Sequence, residues 1–181
     1  MGWSAEASPR LTARIAGVFY LGTFLAGAYA LASVRGRLVA NLIASGCYVG
    51  VTLLFYVLFK PVNRSVSLLA AVLGLVGCVF SGLTSVHLAP VRINSLVFFG
   101  FYCLLIGYLI LGSTFLPGVL GVLMAFGGFG WLTFASAPLA DALSPYNMAP
   151  GILAEGTLTL WLLVFGVNEP RWKEQAGGRH P

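Results

Sequence analysis

Long apolar runs, separated by short connections that hold most of the charged residues, dominate this sequence. An α-helix needs about 20 apolar residues to cross the hydrocarbon core of a bilayer, and the runs have roughly that length. Of the 181 residues, 59% are hydrophobic and 8% are charged, whereas soluble domains carry about 25% charged residues. The charges do not recur at the helical period, as they do on the outer face of a soluble helix. The sequence therefore predicts an all-α polytopic membrane protein.

The connections divide the chain into a six-helix transmembrane bundle over residues 14–168. The clearest break is Lys60 to Arg64, where Pro61 interrupts helical hydrogen bonding and the cations require the aqueous side. Residues 1–13 are predicted to form a cytoplasmic leader, and residues 169–181 a polar, mobile cytoplasmic tail. The six helices are predicted over residues 14–33, 38–59, 66–88, 95–111, 117–137 and 150–167.

The distribution of Lys and Arg predicts the orientation of this bundle. With six crossings both termini lie on one side, and seven cations share that side: Arg10, Arg14, Lys60, Arg64, Arg171, Lys173 and Arg179. Three cations fall on the other side: Arg35, Arg37 and Arg92. Loops that face the cytoplasm carry the excess of Lys and Arg. Both termini are therefore predicted to be cytoplasmic.

The most unusual residue is Glu155, a carboxylate within the apolar run of the sixth helix. An acid at that depth costs about 2.5–3.5 kcal/mol on insertion scales, so it should be paired, protonated or exposed to a water-filled cavity. Gly151, Glu155 and Thr159 are spaced by four and share one face of the helix. This face carries small residues that allow a neighbouring helix to approach. We therefore expect Glu155 to point into the bundle.

The predicted topology places several polar side chains in the outer half of the membrane with Glu155. They are Asn41, Ser45, Ser85, His87, Trp131 and Thr133. Arg35 or Arg37 can extend from the outer turn towards Glu155, and Asn41 and His87 are the other partners we expect. The sequence thus predicts an outer polar pocket that binds a ligand through Glu155, Arg35, Arg37, Asn41, His87 and Thr159. A purely structural tie between helices explains Glu155 equally well.

Several other kinds of site find no support in the sequence. Only two histidines and three scattered cysteines are present, so neither a zinc site nor a disulfide framework is expected. The GGFG run at Gly127 to Gly130 lies in an apolar helix and favours helix packing over phosphate binding. The net charge of +5 comes from cations at helix ends and not from a basic stripe, so nucleic acid is not an expected partner. No metal or cofactor is predicted.

Four motifs together resemble a known family. They are RIAGVFYL from Arg14, KPVNRSVSLLAA from Lys60, FFGFYCLLIGYLILGSTFLPGVLGVL from Phe98, and EGTLTLWLLVFGVNEPRW from Glu155. Their order and spacing resemble a bacterial six-helix membrane family, domain of unknown function 4386. The resemblance implies the six-helix fold and the bacterial inner membrane. The glutamate of the sixth helix, Glu155, matches the family's pattern. This sequence departs from the family pattern at Tyr102, where relatives often have histidine. Its outer connections are also shorter than is usual in the family.

The leading functional prediction is a noncatalytic membrane protein, a sensor or accessory subunit, that binds a small molecule or lipid headgroup. An intramembrane enzyme is the first alternative, with Glu155 as general acid or base; it requires a second catalytic group nearby. A purely structural subunit is the second alternative. Proton-coupled transport has little support, because no inverted repeat or pair of broken helices is evident. Besides the bilayer, the expected partners are that ligand and another membrane protein or a second copy of the chain.

Overall fold

Six long helices of the computed structural model form a closed ring. The structure describes residues 8–88 and 94–178, so Arg92, Arg179 and most of the predicted leader lie outside the described residues. The six helices are α1 (Pro9–Ala32), α2 (Arg37–Phe59), α3 (Arg64–Ser85), α4 (Leu96–Leu111), α5 (Gly118–Leu132) and α7 (Ala149–Val164). Consecutive members of this series pack against each other, and α7 packs against α1. No β-strand occurs in the described residues.

The exterior of the ring is apolar, as expected for a surface that faces lipid. Exposed aliphatic and aromatic side chains occur on all six helices, for example Leu25, Leu53, Val79, Phe129 and Leu160. The interior is filled mainly by aromatic and large aliphatic residues. The largest fully buried side chains include Tyr20, Tyr102, Phe55, Phe59, Ile106, Met124 and Leu158. In water this exterior would be an extensive apolar patch, so the protein is a multi-pass membrane protein.

Four helices are long and apolar enough to cross a membrane by themselves. These are α1, α2, α3 and the segment Gly118–Ala135, which adds a short 3₁₀ turn to α5. A fifth candidate is α7 taken together with the helix that follows it, although the pair is bent by 101°. Helix α4 is apolar but has only 16 residues, which corresponds to about 24 Å of helix. Four to five candidate spans make the protein multi-pass. The count of six crossings remains a prediction from the sequence.

Two helices lie where the sequence predicted irregular structure. The first is α6 (Ala137–Leu143), which overlaps the connection predicted from Pro138 to Ala149. The second is α8 (Glu169–Gly177), within the predicted mobile tail. The Asn168 side chain caps α8 by accepting a hydrogen bond from the Arg171 N–H, and Pro170 occupies its first turn, where no N–H is needed. Asn168 and Pro170 were readable helix-start signals in the sequence.

Helix α8 is fastened across the end of the bundle. The Trp172 Nε1–H donates to the Leu58 carbonyl oxygen at 2.8 Å, and the Asn168 N–H donates to the Phe115 carbonyl oxygen at 3.1 Å. The Gln175 Nε2 donates to the Gly112 carbonyl oxygen at 3.0 Å. These bonds connect α8 to the end of α2 and to the connection between α4 and α5. The tail is therefore an ordered part of the fold through Gly177.

Candidate functional site

The carboxylate of Glu155 is buried inside the ring and is bound by neutral groups. Its residue is 6% exposed, which confirms that Glu155 faces the bundle. The Trp131 Nε1–H of α5 donates to Oε1 at 2.7 Å, and the Cys103 thiol of α4 donates to the same oxygen at 3.4 Å. In the described part of the chain, no Lys, Arg or His side chain lies within ion-pair distance of Glu155. Glu155 thus joins α7 to α4 and α5.

Tyrosines extend this polar group towards α1 and α2. The Tyr20 hydroxyl of α1 lies near the Glu155 carboxylate and 3.5 Å from the Tyr48 hydroxyl of α2. The Tyr48 ring meets the fully buried Tyr102 ring of α4 at 5.6 Å between centroids. Five helices therefore meet around Glu155. Tyr102, the position that departs from the family pattern, packs against Tyr48 in this group.

The partners that the sequence predicted for Glu155 in and just before α2 lie elsewhere. Arg37 donates from Nε to the Ala30 carbonyl oxygen at 3.2 Å and so closes the end of α1. Arg35 is exposed and Asn41 is half-buried, and neither has a hydrogen bond or ion pair to Glu155. Thr159 is buried on the same face of α7, as its spacing predicts. Its hydroxyl donates to the Glu155 carbonyl oxygen at 2.7 Å, a bond within the helix.

His87 has a backbone role at the end of α3. Its φ is +58°, the left-handed conformation in which many helices end. The Leu88 N–H donates to the Leu83 carbonyl oxygen at 2.8 Å, and the His87 N–H donates to the Thr84 carbonyl oxygen at 3.1 Å. These bonds satisfy carbonyl groups that the helix end leaves open. The exposed imidazole has no described bond to Glu155, and the geometry gives His87 a capping role.

Sequence reasoning missed both hydrogen-bond donors to Glu155. It placed Trp131 at the same level of the bundle as Glu155 but did not pair the two, although an indole N–H is a donor that requires a partner when buried. Cys103 gave no such signal, because a lone cysteine in an apolar helix resembles a small packing residue. The Trp131 ring lies directly over Gly151, where a Cβ would collide with it. This packing closes the space above Glu155 on the side predicted to be outermost.

An open cleft of about 930 Å³ lies at the opposite end of the bundle, where the described chain ends meet. The Ser8 hydroxyl donates to Glu169 Oε2 at 2.7 Å. The start of α1, the connection between α4 and α5, the end of α7 and the start of α8 line this cleft. Its residues are Arg10, Thr114, Phe115, Leu116, Pro117, Trp161, Phe165, Gly166, Val167, Asn168, Glu169, Pro170, Arg171 and Lys173. We call it the terminal cleft.

The terminal cleft combines an apolar wall with a cationic rim. Trp161 and Phe165 form the wall, with their ring centroids 4.5 Å apart. On the rim, the Lys173 ammonium is 2.8 Å from Glu169 Oε1, so these two charges offset each other. Arg10 and Arg171 have no carboxylate within ion-pair distance in the described residues. Arg10 also lies near enough to Glu169 to help lower the pKa of that carboxyl group. The cleft therefore presents two guanidinium groups that form no direct ion pair in the described residues and that lie next to aromatic rings.

A tight turn brings Arg10 to the cleft. Gly166 has a φ of +68°, and a Cβ placed there would lie 3.0 Å from Arg10 Cγ. Only glycine adopts this backbone conformation at little cost. On the other side, Arg171 donates from Nη1 to the Thr114 carbonyl oxygen at 3.3 Å, which orients its guanidinium across the connection between α4 and α5.

Comparison with known proteins identifies the family. The family model described as "Domain of unknown function (DUF4386)" matches residues 32–95 and 92–166. This chain belongs to the DUF4386 family. Searches of curated proteins and of solved structures gave no match. The resemblance noted in the sequence is thereby confirmed.

The residues matched by the family model include the contacts of Glu155 but not the charged rim of the terminal cleft. Within the DUF4386 match lie Glu155, Trp131 and Cys103. The rim of the terminal cleft lies outside it, because Arg10 precedes residue 32 and both Arg171 and Lys173 follow residue 166. The hydrogen bonds of Glu155 thus belong to the DUF4386 core, and the charges of the cleft come from the segments that flank it.

If His87 serves this DUF4386 protein only as a helix cap, His87→Gly should preserve or raise its stability. A non-glycine residue in the left-handed conformation costs about 1–2 kcal/mol relative to glycine, partly offset by the greater freedom of glycine in the unfolded chain. The measurement is the Tm of the purified protein in detergent. A clear loss of stability would instead reveal a contact made by the imidazole.

The ion pair on the cleft rim predicts a pH dependence for α8. The Lys173 ammonium, and next the Ser8 hydroxyl, hydrogen-bond the Glu169 carboxylate and hold its pKa below the usual range. Because the folded-state pKa is lowered, this stabilisation is complete above the ordinary carboxyl pKa and is lost as the pH falls through the lowered value. Fluorine NMR of fluorotryptophan at Trp172 should report α8 loosening only in that acidic range.

Glu169→Gln is the control for this acidic transition. The glutamine side chain does not titrate, so the acidic change in the Trp172 fluorine signal should disappear in this variant. An unchanged acidic transition in the variant would assign the effect to another carboxyl group.

Proposed function

We propose that this DUF4386 protein crosses the bacterial inner membrane six times, with both termini in the cytoplasm. The closed ring of six helices supports this count, because α4 and α7 pack along neighbours that qualify as spans. The bond between Ser8 and Glu169 supports an even number of crossings. The excess of Lys and Arg at the same end supports a cytoplasmic location for it. Attaching a reporter that is active only in the cytoplasm to either terminus tests the orientation.

We further propose that the protein binds a small molecule or lipid headgroup that carries negative charge and an apolar part. The observation that supports this most is the pair of guanidinium groups, Arg10 and Arg171, beside the aromatic wall of the terminal cleft. Guanidinium groups bind carboxylates and phosphates through paired hydrogen bonds. Ligand pockets typically have volumes of about 300–1,000 Å³, so the cleft is large enough. A sensor or accessory subunit of a membrane assembly fits this property.

The terminal cleft is a better candidate for this ligand than the pocket predicted around Glu155. Glu155 accepts hydrogen bonds from Trp131 and Cys103, and such contacts support a structural tie. The enzyme alternative would use Cys103 as the second titratable group, at 3.4 Å. Both side chains are buried, and neither lines the terminal cleft. Binding at the cleft is therefore our proposal.

A thermal-shift comparison of three single-chain amphiphiles tests this proposal. Dodecyl phosphate, dodecyl trimethylammonium and a neutral dodecyl glycoside are added to the protein in a neutral detergent. We expect dodecyl phosphate to raise the Tm of the wild type above the other two. In Arg10→Gln/Arg171→Gln this shift should vanish, because charge-assisted hydrogen bonds contribute about 1.5–3 kcal/mol each.

The matched control is Arg35→Gln/Arg37→Gln, which removes the same charge at the other end of the bundle. It should keep the wild-type response to dodecyl phosphate. The proposal fails if the anionic amphiphile gives no larger shift than the neutral one. It also fails if both double variants lose the response equally, since the effect would then come from net charge.

A further inference from the structure

We infer that the ligand of the terminal cleft is a phosphate group carried by a membrane glycerophospholipid. This inference rests on the proposed function and specifies its ligand. Arg10 and Arg171 would hold the phosphate, and the acyl chains would run from the cleft along the outside of α7. The rim chemistry, the exposure of the aromatic wall and the position of the cleft in the bundle each support it.

The rim chemistry favours a phosphate. Arg171 uses Nη1 to reach the Thr114 carbonyl oxygen, which fixes the plane of a group whose other N–H donors remain available. Planar guanidinium groups match phosphate oxygens in paired geometry and are less strongly hydrated than ammonium groups. The ammonium on the rim, Lys173, is paired with Glu169, so the guanidinium groups are the main attraction for an anion.

The wall of the cleft is continuous with the surface that faces lipid. Phe165 lines the cleft and is also 55% exposed. In the last turns of α7, Val164 and Leu160 are exposed on the exterior of the ring. A ligand whose apolar part continues into the bilayer can therefore leave the cleft past Phe165. A soluble anion would gain nothing from this apolar surface.

With six crossings and cytoplasmic termini, as proposed above, the cleft would lie at the level of the lipid phosphates. It begins where α7 ends at Val164 and α8 turns by 101° across the bundle end. Tryptophan and other aromatic rings are common at the boundary between hydrocarbon and headgroups, and in the proposed topology Trp161 and Phe165 would lie at that boundary. Basic pockets at the cytoplasmic ends of membrane helices bind anionic headgroups. The guanidinium groups of Arg10 and Arg171 line the same cleft as these aromatic rings, so the proposed topology would place them near the headgroups.

Competition between lipid and soluble phosphate tests the inference. The wild type is placed in nanodiscs of phosphatidylcholine that contain a small fraction of phosphatidic acid, and lipids that remain bound are counted by native mass spectrometry. We expect phosphatidic acid to be retained at least about tenfold above its share of the bilayer, a factor that corresponds to about 1.4 kcal/mol. Glycerol phosphate, added in excess from the solution side, should displace little of it.

Two variants separate the contribution of the headgroup to binding from that of the acyl chains. Arg10→Gln/Arg171→Gln should reduce the enrichment of phosphatidic acid to near its bulk share. Phe165→Ser should reduce lipid retention several-fold and leave the binding of glycerol phosphate to the detergent-solubilised protein unchanged. The exposed Phe165 can be replaced without disturbing the buried core, and a wild-type Tm in each variant verifies this.

The outcomes distinguish this inference from the proposed function. If glycerol phosphate binds as tightly as the lipid and Phe165→Ser has no effect, the cleft takes a soluble phosphate and the inference is wrong, while anion binding holds. If phosphatidic acid is not enriched and dodecyl phosphate gives no thermal shift, both are wrong. Equal enrichment in the Arg35→Gln/Arg37→Gln variant and in the cleft variant would also overturn the inference.

Discussion

Gly107→Ala and Gly121→Ala should each destabilise the protein strongly. A Cβ on Gly107 would lie 2.7 Å from the Gly121 carbonyl oxygen, and a Cβ on Gly121 would lie 2.7 Å from the Gly107 carbonyl oxygen. Since the obstruction is backbone on the facing helix, only a separation of α4 from α5 relieves it. Overpacking of this kind costs about 1–3 kcal/mol. We expect a lower Tm in detergent and less folded protein in the membrane.

Gly156→Ala provides the matched control for these two variants. This glycine lies on α7, and a Cβ there would meet no heavy atom within 4 Å. Alanine favours the helix over glycine by about 1 kcal/mol, so its effect should be neutral or stabilising. If all three variants lose the same stability, the close approach of α4 and α5 is wrong. A wild-type Tm for Gly121→Ala would lead to the same conclusion.

Glu155→Leu should be the second most damaging change. It removes the acceptor of the Trp131 and Cys103 hydrogen bonds and leaves the indole N–H buried without a partner. An unsatisfied buried polar group costs about 1–3 kcal/mol. The folded fraction after extraction and the Tm in detergent measure the loss. Because Glu155 joins α7 to α4 and α5, we also expect proteolysis to start in the connection before α7.

Two further variants determine what the carboxyl group contributes. Glu155→Gln keeps an oxygen at the position of Oε1 and should retain most of the stability. Thr157→Leu, on the exposed side of the same helix, should have no effect. If Glu155→Leu proves as stable as Glu155→Gln, the hydrogen bonds do not hold α7 in place. A Glu155→Gln variant that does not fold would instead show that the structure depends on the acid itself.

The contacts of Glu155 mark where prediction from the sequence succeeded and where it failed. The spacing of Gly151, Glu155 and Thr159 correctly placed them on the buried face of α7, because the helical period converts spacing into direction. Spacing says nothing about which helix that face meets. Our choice of Arg35, Arg37, Asn41 and His87 assumed that α7 packs against the first three helices. In the ring its neighbours are α1 and α5.

The ends of the chain illustrate a different failure. Residues 169–181 were predicted to be a mobile tail because they are polar, and polarity alone does not distinguish an exposed tail from a docked helix. Asn168 and Pro170 do predict a helix start. The docking of α8 depends on Trp172 reaching the Leu58 carbonyl, a residue more than a hundred positions away. The docked helix contributes Glu169, Pro170, Arg171 and Lys173 to the lining of the terminal cleft.

By itself, the sequence determined that this protein is an all-helical, multi-pass membrane protein, that it belongs to its family and that Glu155 faces inward. These properties follow from apolar length, motif order and helical period, which are local along the chain. Only the tertiary structure decided that Trp131 and Cys103 bind Glu155, and that Arg10 and Arg171 share a cleft. Those pairings join residues distant in sequence, and they depend on how the six helices close into a ring.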